Sequence, residues 1–163
     1  MSDRPRPPAL PRPVTGVFVR QVIQTSCSGH FAMVWVDAEP LPEGTAESFA
    51  FVDDLPETCR YPEEPLPQEF VDEFAESVRE TWQEADDGQP AFAARVVLRD
   101  AAWHEVDSGV HGFRVAERLA VREILSCVAE EREPRPVGRG ARRDRPVPPM
   151  PRTLTSPDGS SPA

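Results

Sequence analysis

Hydrophobic and polar positions alternate in the first third of the chain, which is the pattern of strands that are buried on one face. Valine, isoleucine and aromatic residues carry this alternation through residues 14–26 and 30–37, and a short apolar run covers 49–52. Residues 27–29 separate the first two runs. We therefore predict two strands joined at 27–29 and a third strand at 49–52, paired as an antiparallel meander.

Further along, the apolar positions change to the three- and four-residue spacing of helices. Residues 67–86 show this spacing first, and a second helical run covers 113–128. A fourth strand is predicted between them at 92–98, followed by a loop at 99–107. The resulting order, βββαβα, predicts an α+β fold: a two-layer sandwich in which a four-stranded sheet carries both helices on one face.

Proline marks the two ends of the chain. The sequence contains 20 prolines, and they concentrate at the two ends, where few large apolar side chains are available to form a core. We expect a disordered arm rich in Pro and Arg at 1–13, one folded domain at 14–131, and a disordered tail rich in Arg, Pro and Ser at 132–163.

Charge is distributed unevenly between these parts. The whole chain has a formal net charge of −10, whereas residues 14–131 hold 8 arginines and 24 acidic residues. Such a core repels phosphate backbones over most of its surface. Lysine is absent, which removes the phosphate-binding loop that ends in Gly-Lys-Ser/Thr. No apolar run is long enough for a membrane span or a secretion signal, so we expect a cytoplasmic protein.

The cysteines and histidines do not have the spacing that is typical of a zinc site. Its ligands would be Cys27, His30 and Cys59, together with His104 or His111. These positions match no strong metal pattern. We therefore expect neither a metal nor a cofactor.

A hydrolase site is equally weak. Asp107, Ser108 and His111 offer a carboxylate, a hydroxyl and an imidazole, but no nucleophile elbow accompanies them. A Ser beside an Asp at the start of a helix more often caps backbone donors. We predict that Asp107 or Ser108 caps the second helix, and that the protein is not an enzyme.

Several motifs match a known family in order and spacing. Gly29-His30 precedes an apolar strand, Glu39-Pro40-Leu41 follows that strand, and Leu66-Pro67-Gln68-Glu69-Phe70 starts the first helix. An ungapped block then runs from Gly88-Gln89-Pro90 through the fourth strand to Trp103-His104-Glu105-Val106-Asp107-Ser108. Over roughly residues 16–123 the chain resembles the fourth domain of elongation factor G and of the tetracycline ribosomal-protection proteins.

The resemblance implies a binding role rather than GTP hydrolysis. In the family this domain is the arm that enters the decoding region of the ribosome, and the loop matching 103–108 lies at its tip. A Trp and a His on such a loop can stack on bases and hydrogen-bond to phosphate or ribose. The alternative is that Trp103 closes the end of the core and His104 is a solvated loop residue. The ribosome or a translation factor is the expected partner. The expected binding residues are those of the loop and four arginines of the tail: Trp103, His104, Glu105, Val106, Asp107, Ser108, Arg139, Arg142, Arg143 and Arg145.

A second interpretation remains open. Residues 53–64 bring five acidic residues into one connection, and the core around them is strongly acidic, which favours a protein partner over RNA. The chain would then be an acidic adaptor or regulator that binds another protein and has no role in translation.

Overall fold

The computed structural model of this chain describes residues 6–23, 30–42 and 44–151. The predicted turn at 27–29 lies outside the described residues. The elements follow the predicted order and are β1 Val14–Ile23, β2 His30–Pro40, β3 Phe49–Asp53, α1 Gln68–Gln83, β4 Ala94–Ala102 and α2 Val110–Glu130. None of the helices in the described part of the chain has the length and apolar content needed to cross a membrane.

The four strands form one mixed sheet in the order β1-β2-β4-β3. β2 pairs antiparallel with both β1 and β4, whereas β3 pairs parallel with β4. The predicted meander is therefore wrong for β3, which lies at the far edge of the sheet. The reason is the helix between β3 and β4, because a crossover through a helix is the usual way to join parallel neighbours.

Both helices cover one face of the sheet, so the predicted two-layer α+β sandwich is confirmed. α1 contacts β3, α2 contacts β1 and β2, and the two helices contact each other. Trp82 of α1 is fully buried, and its Nε1 donates to the Phe92 carbonyl at 2.9 Å. The core between the layers includes Val19, Val34 and Leu98 of the sheet.

β4 extends four residues beyond the predicted strand at 92–98, so the loop after it is shorter than expected. A bulge beside Trp35 and Val36 of β2 accommodates Arg99. The Arg99 guanidinium forms ion pairs with Asp37 at 2.7 Å and with Asp54 at 2.9 Å. These ion pairs neutralise Arg99 within β4. The hydrophobic pattern of the sequence predicts that the strand ends at residue 98.

The predicted cap of the second helix is also wrong. The N-cap residue of α2 is Gly109, and no side chain caps the helix. The Ser108 hydroxyl instead donates to the carbonyl of Phe31 in β2. Ser108 therefore ties the helix start to the sheet rather than to the backbone donors of α2.

The expectation of disorder is wrong for the described parts of both terminal segments. Leu10 is 2 % exposed, its N donates to the Ala93 carbonyl at 3.0 Å, and Ala93 N donates to the Pro8 carbonyl at 2.7 Å. After α2, residues 137–139 lie along β1 as an additional parallel edge. Backbone pairing and one buried leucine supply contacts that composition alone does not reveal.

The close approach of this C-terminal segment to β1 requires a glycine. Val137 N donates to the Phe18 carbonyl at 3.1 Å, and Arg20 N donates to the Val137 carbonyl at 2.9 Å. Gly138 follows with φ +107°, and a Cβ at this position would lie 2.5 Å from the Arg20 carbonyl oxygen. Only glycine fits both the left-handed backbone and the contact.

Candidate functional site at the tip of the sheet

The loop between β4 and α2 is closed by its own polar groups. His104 N donates to Ser108 Oγ at 2.8 Å, and Ser108 N donates to the His104 carbonyl at 2.9 Å. The Ser108 hydroxyl donates to the Phe31 carbonyl at 2.5 Å, and Phe31 N donates to the Asp107 carbonyl at 3.2 Å. These bonds hold residues 104–108, which we call the tip loop, at the end of the sheet where β2 begins.

The imidazole of His104 orders the apex of the tip loop from within. Its Nδ1 accepts hydrogen bonds from Val106 N and Asp107 N, both at 3.2 Å. Asp107 Oδ2 also lies 3.5 Å from Nδ1, so Nδ1 is engaged within the loop and Nε2 is the ring nitrogen left for a partner. His104 is about half exposed, so its Nε2–H is available to an acceptor such as a phosphate or a ribose hydroxyl.

Exposed apolar side chains concentrate at this end of the domain. Among the described residues four large hydrophobic side chains are exposed, and three of them lie near the tip loop: Tyr61, Val106 and Val110. Val106 is at the apex and is 78 % exposed, beside the exposed Glu105. Large apolar groups held rigidly in solvent mark contact surfaces when they cluster.

Trp103 does not project from the tip. Its ring packs edge-on against Phe70 of α1, with centroids 6.2 Å apart, and Trp103 N donates to the Tyr61 carbonyl at 3.2 Å. The indole Nε1 is buried and has no hydrogen-bond partner among the described residues. The Trp103 ring therefore closes this end of the core, which is the alternative to a ring that is offered to a partner.

Arg139 of the C-terminal segment has its backbone at the same end of the sheet as the tip loop. Val22 N donates to the Arg139 carbonyl at 3.0 Å, Val22 pairs with Phe31, and Phe31 bonds to Asp107. This row of neighbours places Arg139 about 14 Å from Asp107 at the usual spacing between strands.

The predicted arginines differ in their environment. Arg139, Arg142, Arg143 and Arg145 are all exposed. Arg143 forms an ion pair with Glu123 at 3.5 Å, whereas no ion pair is seen for the other three within the described ranges. Glu123 lies beyond the middle of α2, away from the tip loop, so Arg143 does not join Arg139 beside the tip. We call these four arginine residues the C-terminal arginines.

Two residues near the tip were missed by the sequence reasoning. Tyr61 is 58 % exposed, and it is the one tyrosine of the chain, set in a polar proline-rich connection. The sequence could have indicated Tyr61, because it is a lone aromatic residue in a polar segment. Phe31 anchors the tip loop through its backbone, which no sequence pattern indicates.

Neither alternative site gains support in the described residues. They contain no group of three or more His, Cys, Asp or Glu side chains placed to hold a metal ion, and Cys27 lies outside them. The His30 and His111 rings lie 5.4 Å apart. Ser108, the hydroxyl of the hydrolase alternative, is engaged with the backbone of Phe31.

Comparison with known proteins gives matches over the folded part of the chain. The family described as elongation factor G, domain IV, matches residues 12–127. Elongation factor G from Petrotoga mobilis is 30% identical over 117 residues, which are 71% of this chain and 16% of the relative. Elongation factor G from Aquifex pyrophilus is 33% identical over 109 residues, or 66% of this chain and 14% of the relative. The chain thus spans about a sixth of the length of these relatives.

A solved protein from Thermus thermophilus gives a TM-score of 0.47 and 19% identity over 70% of this chain and 16% of that protein. The family match is more informative, because it includes every strand and almost all of both helices. It also includes the tip loop, residues 104–108. The chain belongs to the elongation factor G domain IV family.

Proposed function

We propose that this protein binds the ribosome through its tip loop, as a non-catalytic member of the domain IV family. Family membership places it among translation-factor domains. The observation that carries the proposal is the tip loop itself, a rigid turn whose exposed apex is formed by Glu105 and Val106. Binding residues on loops held by a rigid scaffold are a common arrangement.

The chemistry of the tip loop suits RNA in single-stranded or irregular form. The Nε2–H of His104 can donate to a phosphate or to a ribose hydroxyl, and the apolar Val106 can rest on a base or a sugar. The loop needs little ordering on binding, because hydrogen bonds to Phe31 and within the loop already fix it. Pre-ordering lowers the entropic cost of association.

The C-terminal arginines would supply the attraction that the acidic core lacks. Arg139, Arg142 and Arg145 are exposed, and the Arg139 backbone pairs with β1 at the end of the sheet that carries the tip loop. Guanidinium groups bind phosphates through paired hydrogen bonds, and the resulting affinity decreases with salt. These arginines would therefore draw the acidic domain towards RNA.

Sedimentation with purified ribosomes tests this proposal. We expect the wild-type chain to pellet with ribosomes at low salt, and less so at moderate salt. Val106→Glu should weaken binding about tenfold, since it places a charge at the centre of the contact. Val52→Glu is the matched control, because Val52 is exposed on the edge strand β3 and the substitution changes the charge equally.

Failure of the wild-type chain to pellet at either salt concentration would overturn ribosome binding. Equal pelleting of the Val106→Glu and Val52→Glu variants would overturn the role of the tip loop and leave ribosome binding in place.

A further inference from the structure

The face of the sheet opposite the helices carries an aromatic surface of its own. Side chains of neighbouring residues in a strand point to opposite faces. Val17 and Val19 belong to the core beneath the helices, so Phe18 points to the other face. Trp35 lies opposite Phe18 in β2, and the two ring centroids are 4.8 Å apart.

A proline-rich segment of the chain covers part of this surface. Residues 146–151, which we call the strap, read Pro-Val-Pro-Pro-Met-Pro. Trp35 Nε1 donates to the Pro148 carbonyl at 3.0 Å. Phe18 and Trp35 are each 4 % exposed although no helix covers them, which shows how closely the strap packs.

The strap leaves a cleft of about 470 Å³ beside it. We call the surface lined by these side chains the aromatic groove: Phe18, Arg20, Phe31, Met33, Trp35, Tyr61 and Ala102. Pro148, Pro149 and Pro151 form the other wall. Tyr61 is 58 % exposed at the outer end, so the groove continues past the contact with Trp35.

These contacts are those of proline-rich peptide recognition. Proline rings pack on flat aromatic side chains, and proline carbonyls, in residues that have no N–H, accept from an indole donor. A segment with several prolines is already extended, so little entropy is lost when it is ordered in a groove.

We propose that the aromatic groove is a binding site for proline-rich peptide segments, and that the strap is its intramolecular occupant, which a partner peptide displaces. The lining is mixed in charge, because Arg20 lies in the groove and Arg60 lies over the Tyr61 ring beside the exposed Glu63. Recognition therefore rests on the prolines rather than on charge. This inference does not depend on ribosome binding.

A peptide supplied in trans tests the groove in the full-length chain. The probe is a fluorescein-labelled peptide with the sequence of residues 145–151, and the control peptide has its four prolines replaced by alanine. We expect the wild-type chain to bind the probe weakly, because the strap competes at a local concentration of about millimolar. A variant with Pro148→Gly, Pro149→Gly and Pro151→Gly loses this competitor and should bind the probe at least about tenfold more tightly.

Two further variants and a spectroscopic readout make the test specific. Adding Trp35→Phe to the glycine variant removes the indole donor and should weaken binding about fivefold. The indole resonance of Trp35 should shift in the glycine variant and return towards its wild-type position on addition of the probe. If the glycine variant does not fold, the same resonance in the wild-type chain should respond to excess probe and not to the alanine peptide.

The proposal is overturned if the glycine variant binds no more tightly than the wild-type chain. It is equally overturned if the alanine peptide binds as well as the probe, or if Trp35→Phe has no effect. Binding of a single-stranded oligouridine at the groove, in place of the peptide, would assign this surface to nucleic acid and would also overturn it.

Discussion

Replacing Glu123 by alanine is expected to lower the free energy of unfolding by about 3 kcal/mol, since it removes the buried carboxylate that pairs with the largely buried Arg132 guanidinium. Arg132 Nη1 and Nη2 lie 2.7 and 3.2 Å from the two carboxylate oxygens of Glu123. Arg135 N donates to the same carboxylate at 2.9 Å. The Glu123 side chain is 4 % exposed, and it fixes the turn from α2 into the C-terminal segment. Chemical denaturation measures the loss.

A matched control is available on the same arginine. Glu130 lies 2.9 Å from Arg132 Nε, but its side chain is 61 % exposed. Exposed ion pairs contribute little, so Glu130→Ala should cost less than about 1 kcal/mol. Equal losses for Glu123→Ala and Glu130→Ala would contradict the assignment of Glu123 as the buried organiser of this turn.

The Glu123 carboxylate also predicts how the stability of the protein changes at acidic pH. Burial disfavours its charged form, but the bonds from Arg132 and from Arg135 N prevail and hold the pKa of Glu123 below its ordinary value of 4.5. Because the folded-state pKa is the lower one, the stabilisation is present above about pH 4.5 and is lost as the pH falls through the folded-state pKa. The stability difference between the wild type and Glu123→Gln should therefore shrink on acidification below pH 4.5.

Replacing Glu117 by glutamine is expected to have the opposite effect and to stabilise the protein at alkaline pH by about 2–3 kcal/mol. Glu117 is 1 % exposed, Thr81 Oγ1 donates to its Oε1 at 2.6 Å, and its Oε2 is buried with no partner in the described residues. Burial raises the pKa of Glu117 to about 7. Glutamine keeps the acceptor for Thr81 and removes the cost of ionisation.

The direction of this pH dependence follows from the raised pKa of Glu117. The unfolded chain ionises Glu117 at about pH 4.5 and the folded chain at about pH 7, so the contribution of the protonated form is complete below pH 4.5 and is lost as the pH rises through 7. Thermal unfolding should therefore show similar stabilities of the wild type and Glu117→Gln at pH 4, and a higher melting temperature for the variant at pH 8.

The neighbouring acids provide the control for this prediction. Glu73, Glu76 and Glu80 of α1 and the arginines Arg114 and Arg118 line the same cleft between the helices. Glu76 is exposed, so Glu76→Gln removes the same charge without changing a buried carboxyl. A gain for Glu76→Gln as large as that for Glu117→Gln would show that general charge repulsion, and not burial, is responsible.

The sequence pattern predicted the helices and the two-layer class because their signals are local. In α1 the apolar residues recur along one face, and the helix occupies Gln68–Gln83 within the predicted 67–86. The pairing of β3 could not be read in this way, because a short apolar run fits a parallel or an antiparallel neighbour equally well. The packing of Leu10 and of residues 137–139 depends on backbone bonds to Ala93 and β1, which composition does not encode.

The motif at 103–108 lies in a loop, as predicted, but its side chains differ in their roles. Trp103 packs on Phe70, His104 orders the backbone of its own loop, and Val106 is the exposed group. A motif gives the position of a loop and not the direction of its side chains. The family match also favours translation over the acidic adaptor, which rested on charge alone.

Photocrosslinking from the apex tests the central proposal most directly. A photoreactive amino acid replaces Val106 in the full-length chain, the protein is bound to purified ribosomes and irradiated, and the linked component is mapped. We expect crosslinks from position 106 to the ribosomal RNA of the decoding region, and none from the control position 52. Crosslinks to that region from position 52 but not from 106, while the protein is bound, would contradict the proposed orientation of the tip.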